Sequence, residues 1–331
     1  MEATRARVLG IGAYSPEKVL TNQDLEKMVD TSDEWIVERT GISERHIAAD
    51  DEASSDLATQ AGRRAIQDAG LTAEDIDLLI CASVTGDMPF PATACFVQAN
   101  LGLKNAAAFD IAAGCTGFLY GLNLAQGLIR SGAYKRILLI GGEVLSRTLD
   151  WTDRATCVLL GDSAGAVVLG PAEDESGILA TRIASDGTKA ELLYIPGGGS
   201  RNPASHHTVD EGMHYFKMNG RETFKHATRN MAAIAKQVLA DSGLELDDVN
   251  LLVPHQANLR IIPYIAEQLG LPMEKVYTNV QRYGNTSCAS IPLCLDEAHE
   301  SGRLHPGDLL LLMGFGAGLT WGACLMEWSD T

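Results

Sequence analysis

Short, nearly unbroken apolar runs alternate along the chain with longer segments whose apolar residues recur at helical spacing. Leu78-Leu79-Ile80-Cys81-Ala82-Ser83-Val84, Arg136-Ile137-Leu138-Leu139-Ile140 and Leu251-Leu252-Val253 lack an alternating polar face, the pattern of strands buried on both sides of a sheet. Between them, Ser55 to Ala69 sets Leu57, Ala58, Ala61 and Ala65 on one face. Phe224 to Ser242 does the same with Ala227, Met231, Ile234 and Val238, and Thr116 to Arg130 reads as an apolar helix. The order helix, strand, loop, helix, strand predicts an α/β protein with central mixed sheets and covering helices.

The pattern occurs twice. Gly70-Leu71-Thr72-Ala73-Glu74-Asp75-Ile76-Asp77-Leu78-Leu79-Ile80 returns 173 residues later as Gly243-Leu244-Glu245-Leu246-Asp247-Asp248-Val249-Asn250-Leu251-Leu252-Val253. Gly114-Cys115 matches Gly284-Asn285 and Ser131-Gly132 matches Ser301-Gly302, each 170 residues on. Ile137 to Ile140 then matches Leu310 to Met313 at 173. A repeat of that length is a whole domain, so two duplicated halves are expected, 1–172 and 173–331. The segment Gly170-Pro171-Ala172-Glu173-Asp174-Glu175 reads as their linker, and Ile195 to His207 as a loop insertion.

Three residues at element ends could carry chemistry. Cys115, in Asp110-Ile111-Ala112-Ala113-Gly114-Cys115-Thr116-Gly117-Phe118, lies where a strand ends and a helix begins. Unpaired N–H groups and the helix dipole there favour an anion, which predicts a thiol more acidic than a free cysteine, although a single cysteine among apolar residues also fits simple packing. His255 follows a strand, where open α/β sheets place their sites, and also suits a structural hydrogen bond. Asn285 suits a helix N-cap as well as an amide donor. The duplication favours chemistry: Cys115 and Asn285 hold equivalent positions that pseudo-twofold packing brings together, and His255 closes the same cleft. A thiol, an imidazole and an amide on one pocket fit acyl transfer through a covalent thioester. Gly314-Phe315-Gly316-Ala317-Gly318-Leu319-Thr320-Trp321-Gly322 lacks the features of a nucleotide loop but can offer backbone N–H groups to an oxyanion.

Bulk properties narrow the class. The chain has 331 residues, 46% of them hydrophobic and 21% charged, which is ordinary globular composition. No apolar run reaches bilayer-spanning length and the N-terminus lacks a signal-peptide core, so a cytoplasmic enzyme is expected, with no membrane partner. The seven cysteines are scattered singly, without a CxxC pair to suggest zinc, and reduced thiols are expected. A net charge of -17 argues against nucleic acid.

Taken together, Asp-Ile-x-x-Gly-Cys at 110–115, Val-Pro-His-Gln-Ala-Asn-Leu-Arg at 253–260, Gly-Asn-Thr-Ser at 284–287 and the glycine-rich 314–322 resemble the β-ketoacyl-acyl carrier protein synthase III family. Thr31 to Ile42, Thr-Ser-Asp-Glu-Trp-Ile-Val-Glu-Arg-Thr-Gly-Ile, is similar to that family's N-terminal segment. The resemblance covers essentially the whole chain. It implies a thiolase-like fold in α/β/α/β/α layers, a homodimer, and a catalytic trio of Cys115, His255 and Asn285. The implied reaction loads a short acyl group, acetyl first among them, from acyl-coenzyme A onto Cys115 and condenses it with malonyl-acyl carrier protein to initiate fatty acid synthesis. The backbone N–H groups of Cys115 and Ala317 would form the oxyanion hole. No metal and no resident cofactor are implied.

By the same resemblance, Trp35 stacks on the adenine of coenzyme A with Arg39 and Arg154 near its phosphates, although an ordinary surface aromatic also fits. Gly220, Phe224 and Asn258 line the pantetheine tunnel, and Phe90 crosses the dimer to limit the acyl pocket. Gln256, Ala257, Asn258, Leu259, Arg260 and Lys225 face the carrier protein, with Arg221 and Arg229 beside them. Glu267-Gln268 stands where some relatives have paired lysines, which thins that basic face. Thiolase proper would need a second cysteine in 314–318, and there is none. Synthase III-like condensing enzymes and acyltransferases of secondary metabolism use the same trio, and these motifs do not separate the two.

Overall fold

The structure, a computed structural model, describes residues 4–329; the outermost ends of the two expected halves, 1–3 and 330–331, lie outside the described residues. Two sheets organise it. The first comprises β1 (Ala6–Tyr14), β2 (Leu78–Ala82), β3 (Ala107–Ile111), β4 (Ile137–Glu143) and β5 (Ser163–Pro171) in the order β1-β5-β4-β2-β3. Its β4, β2 and β3 are parallel, whereas β5 and β1 are added antiparallel. The second sheet contains β6 (Gly177–Ser185), β7 (Leu251–Pro254), β8 (Leu309–Gly316) and β9 (Thr320–Glu327) in the order β7-β8-β9-β6.

The strand directions in the second sheet follow those of the first: β7 pairs parallel with β8, and β9 and β6 are antiparallel. Where the first sheet has β3, the second retains a single parallel bridge, Leu252 to Val276. The turn from Pro171 to Gly177 carries the chain from one sheet to the other.

The helices that matter for the layers are α1 (Asp33–Thr40), α2 (Ser54–Asp68), α3 (Thr93–Leu101), α4 (Gly117–Arg130), α5 (Gly220–Ser242), α6 (Ile261–Leu269) and α7 (Ser290–Glu300). Strand β2 shows why they stack in five layers. Leu78, Ile80 and Ala82 point to a core shared with Phe118, Leu122 and Ile129 of α4, Ile291 and Leu295 of α7, and Leu310 and Leu312 of the second sheet. The alternate residues Leu79 and Cys81 face the outer helix α2 through Leu57, Ala58 and Ala61. In the second sheet Leu311 and Met313 face Met231 and Val238 of α5 and Ile265 of α6. A strand with two buried faces needs apolar residues at every position, which accounts for the unbroken runs in the sequence.

The expected helices and strands form, with shifted ends. Helix α5 begins at Gly220 rather than Phe224, because Asn219 caps it by accepting a hydrogen bond from the Glu222 N–H at 3.3 Å. The loop from Ile195 to His207 is tied down: Gly197 N–H donates to Met213 O at 2.7 Å and Asn202 Nδ2 to Pro196 O at 2.8 Å. A short helix, His206–Asp210, begins inside it.

The central layer contains a carboxyl group that burial, and then the negative Glu300, push up to about 7: Asp296 of α7, with Arg64 opposing and Asp68 and Glu297 adding. Its ordinary value is 3.8, so the folded protein holds this proton more tightly and stability falls as pH rises from about 4 to about 7. Asp296→Asn is therefore expected to raise the melting temperature clearly at pH 8 and much less at pH 4.5. Thermal unfolding at the two pH values checks this, and an equal gain at both would contradict it.

Candidate active site

A cavity of about 880 Å³ opens where the loops at the ends of β3 and β7 meet the turn before α7. Cys115, His255 and Asn285 all line it, together with Gly114, Ser287 and Ala317. Each of the three is fixed by its backbone. After β3, Gly114 turns with φ of 54°, and a 3-10 turn over Gly114–Thr116 sets Cys115 immediately before α4. His255 stays clamped to the sheet end, its N–H donating to Met313 O at 2.8 Å. Asn285 is held from both sides, by its own N–H on Leu159 O at 2.8 Å and by Gly161 N–H on its carbonyl at 3.1 Å.

Glycines let the elements close around the sulfur. A Cβ on Gly316 would stand 2.6 Å from Cys115 N, and one on Gly114 would stand 2.9 Å from Ala317 N. The peptide N–H groups of Cys115 and Ala317 therefore belong to one crowded corner of the cavity. Two residues along the same face of β8, a Cβ on Gly314 would meet His255 Cβ at 3.5 Å. The glycine-rich segment is the β8–β9 hairpin, and its small residues face the reactive side chains.

His255 is 4% exposed, with Nδ1 at 2.7 Å from Ser290 Oγ. Burial lowers its pKa to about 4, so the ring is neutral at pH 7. The acidic thiol expected from the helix terminus is not found in the resting site. Burial is the largest influence and pushes the Cys115 thiol up to about 11, a hydrogen bond with Ser287 and its own backbone N–H pull down, and the charge of Glu143 pushes up. Desolvation disfavours the thiolate more than the terminus favours it. Thiol and imidazole thus rest as a neutral pair.

Three residues that the sequence did not single out shape the site. Glu143, fully buried at the end of β4, accepts from Ser287 Oγ at 3.0 Å, Thr85 Oγ1 at 2.5 Å, Ser83 Oγ at 3.1 Å and the N–H groups of Val84 and Thr85. Burial pushes its carboxyl up, while these donors and Cys288 oppose the shift. The available signal was a carboxylate at the end of an apolar strand. Ser287 accompanies Asn285 within Gly-Asn-Thr-Ser, and Ser290 lies one turn further on. The inner wall of the cavity is apolar, with Leu145, Leu159, Leu160 and Phe216.

Arg39, Gly220, Arg221, Phe224, Lys225, Ala257, Asn258 and Arg260 also line the cavity, whereas Trp35, Arg154, Phe90, Leu259 and Arg229 do not. Two guanidinium groups approach the Trp35 ring, Arg39 at 4.9 Å and Arg154 at 4.7 Å from its centre. Phe90 is 83% exposed at the tip of an apolar loop with Val84 and Met88. Leu259 packs onto Gly41. Asn258 spans the cavity mouth, its Nδ2 donating to Arg39 O at 3.1 Å.

Gln256 corrects the expectation that it faces a carrier protein. It is 1% exposed, its Nε2 donates to Pro254 O and Tyr277 O, and its Oε1 accepts from Asn279 and Val280 N–H. Every polar atom of the amide is used inside the protein, so it is a structural tie. Among the basic residues, Lys225 is engaged with Glu222 at 2.6 Å.

Comparison with known proteins adds an independent line. Residues 109–187 match the family model described as 3-oxoacyl-[acyl-carrier-protein (ACP)] synthase III, and residues 239–328 match its C-terminal counterpart. The β-ketoacyl-[acyl-carrier-protein] synthase III of Symbiobacterium thermophilum is 55% identical over 321 residues, 97% of each chain. That of Caldanaerobacter subterraneus subsp. tengcongensis is 53% identical over 328 residues, 99% of each. The crystal structure of the Aquifex aeolicus synthase III superposes with a TM-score of 0.91 at 49% identity, over 98% of this chain and all of that one. A priming β-ketosynthase from the R1128 polyketide pathway superposes at 0.92 with 33% identity, over 100% of this chain and 98% of that one. The duplicated sheets, the cavity at their ends and the matched sequence lead to one assignment: the chain belongs to the β-ketoacyl-[acyl-carrier-protein] synthase III family of condensing acyltransferases.

Proposed function

We propose that this chain initiates fatty acid synthesis by condensing a short acyl-coenzyme A, acetyl-coenzyme A first, with malonyl-acyl carrier protein through an acyl-Cys115 intermediate. The observation that carries the reading is the convergence of Cys115, His255 and Asn285 on one mostly apolar cavity. In the first half-reaction the Cys115 sulfur attacks the acyl carbonyl, coenzyme A leaves, and the cysteine's proton ends on the coenzyme A sulfur. The tetrahedral oxyanion is held by the N–H groups of Cys115 and Ala317.

In the second half-reaction the malonyl thioester enters and its carbonyl oxygen accepts hydrogen bonds from His255 and Asn285. The bond to the carboxylate breaks, carbon dioxide leaves, and the electron pair remains as an enolate whose charge those donors stabilise. The enolate carbon attacks the acyl-Cys115 carbonyl. Collapse of that adduct breaks the bond to sulfur, releases the 3-oxoacyl carrier protein and leaves Cys115 as a thiolate, which takes up one proton from solvent to return the thiol. Water is kept out by the apolar wall, which protects the acyl-cysteine.

Trp35 with Arg39 and Arg154 receives the nucleotide of coenzyme A, and Gly220, Phe224 and Asn258 line the pantetheine path. The carrier protein meets Arg260 and Lys225, with Ala257, Asn258 and Leu259 beside them. Arg260, Lys225 and Arg221 give the mouth of an otherwise acidic protein its local positive charge. A second copy covers the exposed Val84, Met88 and Phe90 loop, and Phe90 caps the partner's acyl pocket. The enzyme works in the cytoplasm without a resident cofactor; among the described residues no helix is long and apolar enough to cross a membrane.

Acetyl, propionyl, isobutyryl and longer acyl-coenzyme A donors, each supplied with malonyl-acyl carrier protein, test the reading. Short donors should give the highest kcat/KM; a clear preference for long donors would contradict it. A second prediction concerns the corner behind the sulfur. Gly316→Ala places a methyl group 2.6 Å from Cys115 N and 3.0 Å from Cys115 Cβ, so either the backbone that carries the sulfur or the facing strand must shift. The rate of acyl-Cys115 formation should fall roughly 10²-fold, the penalty typical of a misplacement near 1 Å.

A further inference from the structure

Cys115 and Ala317, whose N–H groups are assigned to the tetrahedral oxyanion, belong to segments far apart in the chain, and two buried threonines join those segments. Thr116 directly follows Cys115 and is fully buried. Thr320, 9% exposed, opens β9 opposite Gly316, the last residue of β8. Their hydroxyl oxygens stand 2.7 Å apart. Thr116 Oγ1 is also 2.7 Å from Ala113 O, and Thr320 Oγ1 is 3.0 Å from Ala113 O and 2.8 Å from Ala317 O.

Two hydroxyls carry two protons. If both protons went to carbonyls, the two hydroxyl oxygens would face each other at 2.7 Å with lone pairs alone. That separation is the usual length of an O–H···O bond, so one proton lies between them. The other has a carbonyl in reach either way: Ala113 O when Thr320 donates to Thr116, and Ala317 O or Ala113 O when Thr116 donates to Thr320. Both arrangements put a buried hydrogen bond between the cysteine segment and the β8–β9 hairpin. Gly114 and Gly316 permit these segments to approach, but they have no side chain with which to hold them together.

We propose that Thr320 is a positioning residue, paired with Thr116, that ties the peptide N–H groups of Cys115 and Ala317 into one oxyanion site. This rests on the condensation reading above. The wild-type protein is assayed first, for acetylation of Cys115 and for decarboxylation of malonyl-acyl carrier protein. Failure there would overturn the condensation reading and this proposal with it, whereas the outcomes below bear on the proposal alone.

Thr320→Val keeps the shape of the side chain and removes the hydroxyl. It should lower the maximal rate of Cys115 acetylation by about 10²-fold, the scale of a misplacement near 1 Å. The half-saturating concentration of acetyl-coenzyme A should not change, because the oxyanion forms only on the way to the acyl-enzyme. Decarboxylation, whose enolate charge falls to His255 and Asn285, should keep its wild-type rate. Thr320→Ser, which retains the hydroxyl, should restore acetylation. Thr116→Val should match Thr320→Val, and the double variant should be no slower than either, since each removes the same bond. Neutron diffraction from perdeuterated wild-type crystals should show a deuteron between the two oxygens; its absence would overturn the proposal even if the valine variants did not fold. Wild-type acetylation in Thr320→Val, or equal loss of both half-reactions, would overturn it as well.

Discussion

Replacing Cys115 with serine is expected to eliminate the acyl-enzyme and to lower condensation by at least about 10⁴-fold. A hydroxyl is a far weaker acid than a thiol, and the cavity holds no strong base to compensate, because burial lowers His255 to about 4. The substitution removes little volume beside Gly316 and Ala317, so the protein should fold and still bind acyl-coenzyme A. Intact-protein mass after incubation with acetyl-coenzyme A should show the adduct in wild type and none in Cys115→Ser. An adduct of equal yield in the variant would place the nucleophile elsewhere.

The second large effect separates the half-reactions. His255→Ala and Asn285→Ala should each leave Cys115 acylation largely intact while slowing malonyl decarboxylation by about 10²- to 10³-fold, the range seen when one preorganised oxyanion donor is removed. The two residues sit on different elements, one clamped to the end of β7 and the other between Leu159 and Gly161, so neither truncation need displace the other. Because both act on one oxygen, the double variant should lose less than the product of the two effects. Condensation by His255→Ala at the normal rate would remove that residue from its assigned role.

Much of this was legible in the sequence because it is local. Strands buried on both faces announce themselves as runs such as Leu78 to Cys81, and the repeated Gly70 and Gly243 segments reveal the duplication. Cys115, His255 and Asn285 stand at element ends inside contiguous motifs, so reading the motifs places them. What sequence missed depends on contacts across the fold. Glu143 reaches Ser287 and Thr85 over long chain separations, and no local pattern shows that a strand-end carboxylate will be buried. Gln256 sits in a stretch that reads as a loop facing a partner, yet its amide turns inward to tie Asn279 and Val280. The acidity of Cys115 was misjudged for the same reason: the helix terminus is local, whereas the desolvation that outweighs it is tertiary.

The central claim is that Cys115 carries an acyl group from coenzyme A to a malonyl unit. The most direct test mixes the protein with acetyl-coenzyme A, maps the adduct by mass spectrometry, and then adds malonyl-acyl carrier protein. A stable acetyl group on Cys115, discharged only when the malonyl thioester is supplied and recovered as 3-oxobutyryl carrier protein with release of carbon dioxide, is the expected result. Rapid appearance of free acetate without malonyl-acyl carrier protein would contradict it.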